Sequence, residues 1–245
     1  MIAGLGPGAD DYLSKQVNEA LANATDIVGY ITYTSRVSDR KGLTVHSSDN
    51  RCEVQRAELA LNLALSGRKV VVVSSGDPGV FAMAAAIFEV LETDPKRWRD
   101  VNIEVLPGIT AMLAAAARSG APLGHDFCVL NLSNNLKPWA LIEKRLKLAI
   151  EADFAMVFYN PSSRSRPLGF ERTLKILKNG CSSDRPIIFA RAVSTAKETI
   201  NIVPLAKAKP DMADMQTIVL VGSSQTKVFF HQNRMVAYTP RSVRD

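Results

Sequence analysis

Cysteine is scarce in this 245-residue chain, and Cys52, Cys128 and Cys181 are too widely separated to form a CxxC element. That excludes a disulfide framework of the kind that staples small secreted domains. Only three histidines occur, His46, His125 and His231, and none has metal-ligand spacing with cysteine or acidic neighbours. No metal site is expected. No basic segment followed by an apolar stretch opens the chain, and no uninterrupted apolar run approaches a membrane span. A cytoplasmic protein with no membrane partner is expected. Aromatic residues make up 7% of the sequence, and the basic residues are dispersed, with no arginine-rich tail or dominant lysine run. Nucleic acid is therefore not an expected partner. Also missing are the Gly-Lys-Ser/Thr ending of a nucleotide phosphate loop and the Gly-x-Ser-x-Gly elbow that activates a serine.

What is present is a core-forming composition and a set of turns. Hydrophobic residues are 47% of the chain, and 30 Lys+Arg against 24 Asp+Glu leave a formal charge of +6, which favours anionic partners. Glycine and proline gather at the exits of predicted strands: Gly4-Leu5-Gly6-Pro7-Gly8, Ser74-Ser75-Gly76-Asp77-Pro78-Gly79 and Leu106-Pro107-Gly108-Ile109-Thr110-Ala111, with Phe158-Tyr159-Asn160-Pro161 later. Such turns expose backbone donors and acceptors at one edge of a sheet, where a ligand can approach closely.

Between the turns, strands and helices alternate. Leu13, Val17 and Leu21 recur at helical spacing, and Ile27 to Ile31 reads as a strand. The valine run from Lys69 to Ser74 reads as a buried parallel strand, Val80 to Leu91 as a helix and Val101 to Leu106 as a strand. The turn-forming Gly120-Ala121-Pro122-Leu123-Gly124 marks a second unit. Phe127 to Leu132, Phe154 to Tyr159, Ile187 to Phe189 and Thr217 to Val221 are its expected strands, with Trp139 to Ile150 and Leu168 to Leu177 as helices. The alternation fits two α/β domains, residues 1–119 and 120–245.

The chemistry of the turns is less determinate. Gly4, Gly6 and Ala9 loosely meet a dinucleotide fingerprint, yet only Met1 to Ala3 precede them and Pro7 restricts the loop. Asp77 either orients a ligand amine or substrate proton, or caps the helix that Pro78 begins. Arg164 and Arg166 alternate if the chain is extended, and with Arg36, Lys137 and Arg191 they are candidates for a polyanionic substrate or for a solvated surface.

At these turns the chain resembles the tetrapyrrole methyltransferase superfamily over almost its whole length. The three glycine turns match the superfamily's cofactor-side turns. Gly29-Tyr30, Leu132 to Trp139, Phe158 to Arg166, Asp214-Met215 with Thr217, Gly222 to Thr226 and Thr239-Pro240-Arg241 resemble the branch that methylates C17 of a precorrin. The resemblance implies a two-domain tetrapyrrole methylase fold, each domain a mostly parallel or mixed sheet flanked by helices, with the active site in the interdomain cleft. It implies S-adenosyl-L-methionine as cofactor, a tetrapyrrole polycarboxylate as substrate, and a homodimer. Pro7, Gly76, Asp77, Val80, Phe81, Thr110, Ala111, Leu132, Asn160, Ala192 and Thr217 would form the cofactor wall. Arg36, Lys137, Arg164, Arg166 and Arg191 would meet the substrate's carboxylates, with Asp77 as the candidate catalytic group. The implied reaction methylates C17 of precorrin-3B with ring contraction. Alternatives are the same step on cobalt-precorrin-3, another tetrapyrrole carbon, RNA or protein methylation, or a non-catalytic scaffold. The chain departs from the family pattern at Asn134 and Lys137, and at Ser194-Thr195-Ala196-Lys197-Glu198, which keeps an acid but lacks two glycines and an arginine.

Overall fold

The computed structural model describes residues 1–49 and 52–242, and its internal contacts divide the chain into two units, Met1–Thr110 and Ala111–Asp245. In the first unit the order is β1 (Ile2–Gly4), α1 (Lys15–Asn23), β2 (Asp26–Tyr30), α2 (Ile31–Thr34), β3 (Thr44–Ser48), α3 (Glu53–Leu65), β4 (Val70–Ser74), α4 (Met83–Thr93), α5 (Pro95–Trp98) and β5 (Val105–Leu106). The strands form one five-stranded sheet, β3-β2-β4-β1-β5, in which every pairing is parallel. Parallel strands need a crossover between them, which is why helices separate them in sequence.

The valine run shows why β4 is central. Val70 and Val72 pack with Ala57, Leu61 and Ile87 of α3 and α4, while Val71 and Val73 pack with Val17 and Ala20 of α1. Alternate side chains thus enter two apolar layers, so both faces require hydrophobic residues. Two expectations shift here. α4 starts at Met83 rather than Val80, because Phe81 is left-handed at φ 54° and Ala82 is extended. β5 is confined to Val105–Leu106, with Val101 to Glu104 outside the ladder.

The second unit contains α6 (Ala111–Ser119), β6 (Gly120–Ala121), β7 (Phe127–Asn131), α7 (Trp139–Glu151), β8 (Ala155–Tyr159), α8 (Gly169–Gly180), β9 (Pro186–Arg191), β10 (Thr199–Pro204), β11 (Thr217–Val221), β12 (Lys227–His231) and β13 (Arg234–Tyr238). Its main sheet, β10-β9-β11-β8-β7, is mixed: β7 and β8 are parallel, and β11 runs antiparallel to both β8 and β9. Met156, Phe158, Phe189 and Val219 face Ile142, Leu146, Phe170 and Leu174 of α7 and α8 on one side. Val157, Ile188, Ala190 and Leu220 face Ala114 to Ala116 of α6 on the other. This packing moves the boundary from the expected 119/120 to Thr110/Ala111, since the alanine face of α6 belongs to the second core. A smaller sheet, β12-β13-β6, completes the unit.

At the amino end of β2, Asp26 is 1% exposed and accepts hydrogen bonds from Arg68 Nε at 2.7 Å and Thr25 Oγ1 at 2.7 Å, with His46 Nε2 at 2.8 Å. Burial alone would raise its pKa, but the bonds from Arg68, His46 and Thr25 outweigh it and hold the carboxyl at about 2, against an ordinary 3.8. A depressed folded-state pKa stabilises the fold fully above the unfolded value and is lost as pH falls through the folded one. The shift amounts to roughly 2 kcal/mol. Asp26→Asn should therefore lower stability at neutral pH by about that amount and flatten the acid limb between about pH 4 and pH 2. Urea melts across that window test this; an unchanged acid slope in the variant would show that another group carries it.

Candidate functional site

In the first unit, β1, β4 and β5 end at the same sheet edge, so the three glycine turns meet there. Gly6 and Gly76, both left-handed at φ 65° and 63°, exchange backbone hydrogen bonds of 3.1 and 2.9 Å. A Cβ on Gly4 would fall 2.5 Å from the Gly76 carbonyl oxygen, and one on Gly108 would overlap that same oxygen. The glycines are required because the three backbones touch.

Two side chains fasten these turns. Asp77 accepts from the Gly79 N–H at 2.8 Å through one oxygen and from the Gly108 N–H at 3.0 Å through the other. It joins the second turn to the third and does not cap α4, whose N-cap is Ala82. Arg36 donates to the carbonyls of Leu5, Gly6 and Gly8, the latter two at 3.1 Å each. Its guanidinium braces the first turn around Pro7, so burial and these carbonyls account for an arginine that the sequence offered to a substrate carboxylate. Thr110, at the end of the third turn, is buried.

In the second unit, β7, β8 and β9 run in one direction and deliver their exits to one edge. β11 runs the other way, so its first residue, Thr217, pairs with the last residue of β9, Arg191. Residues distant in sequence therefore share this edge: Leu132, Asn160, Ala192 and Thr217. Leu132 is 1% exposed with its side chain in the core, and its N–H donates to the Tyr159 carbonyl at 2.9 Å. The Met112 N–H near the start of α6, next to Ala111, donates to the Tyr159 hydroxyl at 3.1 Å. Thr217 Oγ1 donates to Asp214 at 2.7 Å, and the Ala192 N–H donates to the Gln216 carbonyl at 2.8 Å.

Non-glycine residues in the left-handed region occur just beyond strands in both units. Phe81 (φ 54°) lies beyond β4; Asn160 (φ 53°), Ala192 (φ 46°) and Ser194 (φ 63°) follow β8 and β9. Such conformations are costly for L-residues and persist where surrounding structure over-determines them, often at ligand sites. Phe81 is also half exposed, at 50%. The Ser194 bend is held through Glu198: Oε2 accepts from the Ser194 N–H at 2.6 Å and from Arg118 Nε at 3.2 Å.

The expected substrate cations divide by their partners. Arg191 is paired with Asp214 at 2.8 Å. Residues 163 to 166 form a tight turn closed by Ser163–Arg166 hydrogen bonds, so Arg164 and Arg166 do not alternate along an extended chain. Arg164 is exposed, whereas Arg166 reaches back to the Asn160 carbonyl at 3.4 Å and leaves Nε buried, with no partner among the described residues. Lys137 is half-buried, and its pKa is lowered by burial and by the nearby charges of Arg145 and Arg166. Arg145 is an exposed residue of α7.

If Asp77 is the clamp between turns, Asp77→Ala should lower stability by about 1–2 kcal/mol and Asp77→Asn, which keeps one acceptor, by roughly half as much. Denaturant melts measure both. An alanine variant as stable as the parent would leave the carboxylate free for chemistry instead.

Residues 1–209 match the model of the Tetrapyrrole (Corrin/Porphyrin) Methylases. A Sinorhizobium protein named precorrin-3B C(17)-methyltransferase is 44% identical over 98% of this chain and 95% of its own length. The crystal structure of the methyltransferase CobJ superposes with a TM-score of 0.93, 57% identity and 98% coverage of both chains. Uroporphyrin-III C-methyltransferase from Thermus thermophilus, solved with S-adenosyl homocysteine, shares the fold at a TM-score of 0.64 and 20% identity, over 90% of this chain and 95% of its own. The chain belongs to the tetrapyrrole (corrin/porphyrin) methylases.

Proposed function

We propose that the chain is an S-adenosylmethionine-dependent methyltransferase of corrin synthesis that methylates C17 of precorrin-3B with contraction of the ring to precorrin-4. The observation that carries this reading is a set of locked backbone turns in the first unit, with side-chain cations in the second that form no ion pair among the described residues, in a chain similar along its whole length to a C17-methyltransferase. When bound, S-adenosylmethionine supplies an activated methyl group on a good sulfonium leaving group, so the protein's task is chiefly alignment.

The residues fit that task. Gly76, Asp77, Val80, Phe81 and Thr110 of the first unit, with Pro7, offer shape and backbone groups rather than acid–base chemistry, since both Asp77 oxygens already accept backbone N–H bonds. Ala111, Leu132, Asn160, Ala192 and Thr217 of the second unit contribute likewise. Lys137 and Arg166 hold substrate carboxylates, with Arg164 available at the tip of its turn. Arg36 and Arg191 act one step removed, by bracing the Gly6 turn and the Asp214–Thr217 turn. Asp77 thus positions the turns rather than carrying a proton.

The reading includes a cytoplasmic homodimer. The β12–β13 hairpin presents Phe229 and Tyr238 edge to face at 5.9 Å beside an open apolar groove of about 840 Å³, and β12 is an edge strand. A second copy would cover both. Phe229→Glu should then shift the protein from dimer to monomer in size-exclusion chromatography with light scattering; a monomeric parent would end this part of the reading.

The activity is tested by anaerobic incubation with S-adenosylmethionine and either precorrin-3B or cobalt-precorrin-3, followed by mass and absorption spectra. A gain of one methyl with a contracted ring on precorrin-3B is the expected result. Turnover of cobalt-precorrin-3 alone would transfer the same chemistry to the metal-containing substrate. Turnover of neither, with cofactor binding intact, would overturn the C17 reading.

A further inference from the structure

We propose that Asn131 is a positioning residue of the cofactor site, whose single carboxamide oxygen sets both the Leu132–Ser133 peptide and the side chain of Asn160. The inference rests on the S-adenosylmethionine reading above and adds to it a residue outside the proposed wall. Asn131 ends β7 and lies opposite Tyr159, the last residue of β8. Parallel pairing in this register brings the two strand exits side by side, so one side chain reaches both.

Two hydrogen bonds converge on this oxygen. Asn131 Oδ1 accepts from the Ser133 N–H at 2.9 Å and from Asn160 Nδ2 at 3.1 Å. A backbone N–H only donates, which fixes the end of the carboxamide that faces it, and a carbonyl oxygen has two lone pairs for two donors. The first bond closes a turn of the Asx type over Leu132. The Ser133 N–H and the Leu132 carbonyl share one planar peptide unit, so holding the N–H also fixes the direction of the carbonyl. The Leu132 N–H is held separately, by the Tyr159 carbonyl at 2.9 Å. Both backbone groups of a proposed wall residue are thus set by the paired ends of β7 and β8.

The second bond acts where the backbone offers little restraint. Asn160 is left-handed at φ 53°, a conformation that asparagine visits more readily than most L-residues. Pro161 follows it and has no N–H to bond. On its carbonyl side, Arg166 makes only a 3.4 Å contact. The shorter bond from Asn131 is what holds the Asn160 carboxamide in one orientation. Both asparagines are half-buried, and β7 keeps its ladder with β8 from Phe127 to Leu130 without the Asn131 side chain. Loss of that side chain therefore leaves the strand in place but makes a ligand order two segments on binding, a cost that appears in its Kd.

The test compares the Kd for S-adenosylhomocysteine, by isothermal titration calorimetry, with the urea midpoint of each variant. Asn131→Ala removes both bonds and should weaken binding about fivefold to tenfold. Asn131→Asp keeps the acceptor in the same shape and should bind within about twofold of the parent. Asn131→Ser still closes the turn onto the Ser133 N–H but ends short of Asn160, and should fall between the two. A merely structural role would lower the urea midpoint and leave the Kd of the folded protein unchanged. That result in Asn131→Ala, or in Asn131→Ser should the alanine variant not fold, would overturn the proposal. Weakening by Asn131→Asp as large as by alanine would overturn it too, because both acceptor bonds are still available. A parent that does not bind S-adenosylhomocysteine would instead remove the cofactor reading, and this role with it.

Discussion

The close approach of three backbones at Gly4, Gly76 and Gly108 is the constraint from which much of the first unit follows. Room for only a hydrogen at Gly4 and Gly108 lets the turns after β1, β4 and β5 touch, and touching turns need their polar groups paired. The Gly6–Gly76 exchange pairs some of them, Asp77 binds two N–H groups, and Arg36 covers three carbonyls. Seen this way, one carboxylate and one guanidinium that look chemically poised in sequence are the fasteners of a backbone surface. The late start of α4 belongs to the same geometry: the chain must leave the Gly76–Gly79 turn through a left-handed Phe81 before it can become helical.

A different route leads to a similar edge in the second unit. Its sheet is mixed, yet reversing β11 brings Thr217 beside Arg191, at the same end as the exits of β8 and β9. Here left-handed Asn160, Ala192 and Ser194 bend the backbone without glycine. At Ser194 the bend is held by side chains. Glu198 binds the Ser194 N–H and is itself braced by Arg118, so a side chain supplies the constraint that a glycine would have made unnecessary.

How much of this was legible in the sequence depended on whether the signal was local. The valine run of β4 announced itself because both its faces are buried, and the glycine turns did so because few other residues tolerate such contacts. The hairpin of β12 and β13 was not anticipated; its residues alternate poorly because Phe229 and Phe230 point to opposite faces and both remain exposed. β3 was missed for a related reason, being a polar edge strand whose Thr44 to Ser48 lack an apolar face. The unit boundary was misjudged at α6 since an alanine-rich helix gives no sign of which core its small face will enter. Asp26 likewise reads as an ordinary strand-flanking acid until Arg68 and His46, far along the chain, close on it.

The cations show most clearly what sequence leaves undetermined. Arg36, Arg166 and Arg191 all lie near strand ends and all looked suited to a polyanion, but the fold gives them different work. Arg36 satisfies carbonyls and Arg191 satisfies a carboxylate, so each lowers the cost of a particular turn. Arg166 makes only a long contact to the Asn160 carbonyl, at 3.4 Å, and burial together with the charges of Arg145 and Arg166 holds Lys137 below its ordinary pKa, with no ion pair to either among the described residues. Two arginines thus stabilise backbone turns, whereas Arg166 and Lys137 hold positive charge that burial has partly stripped of water.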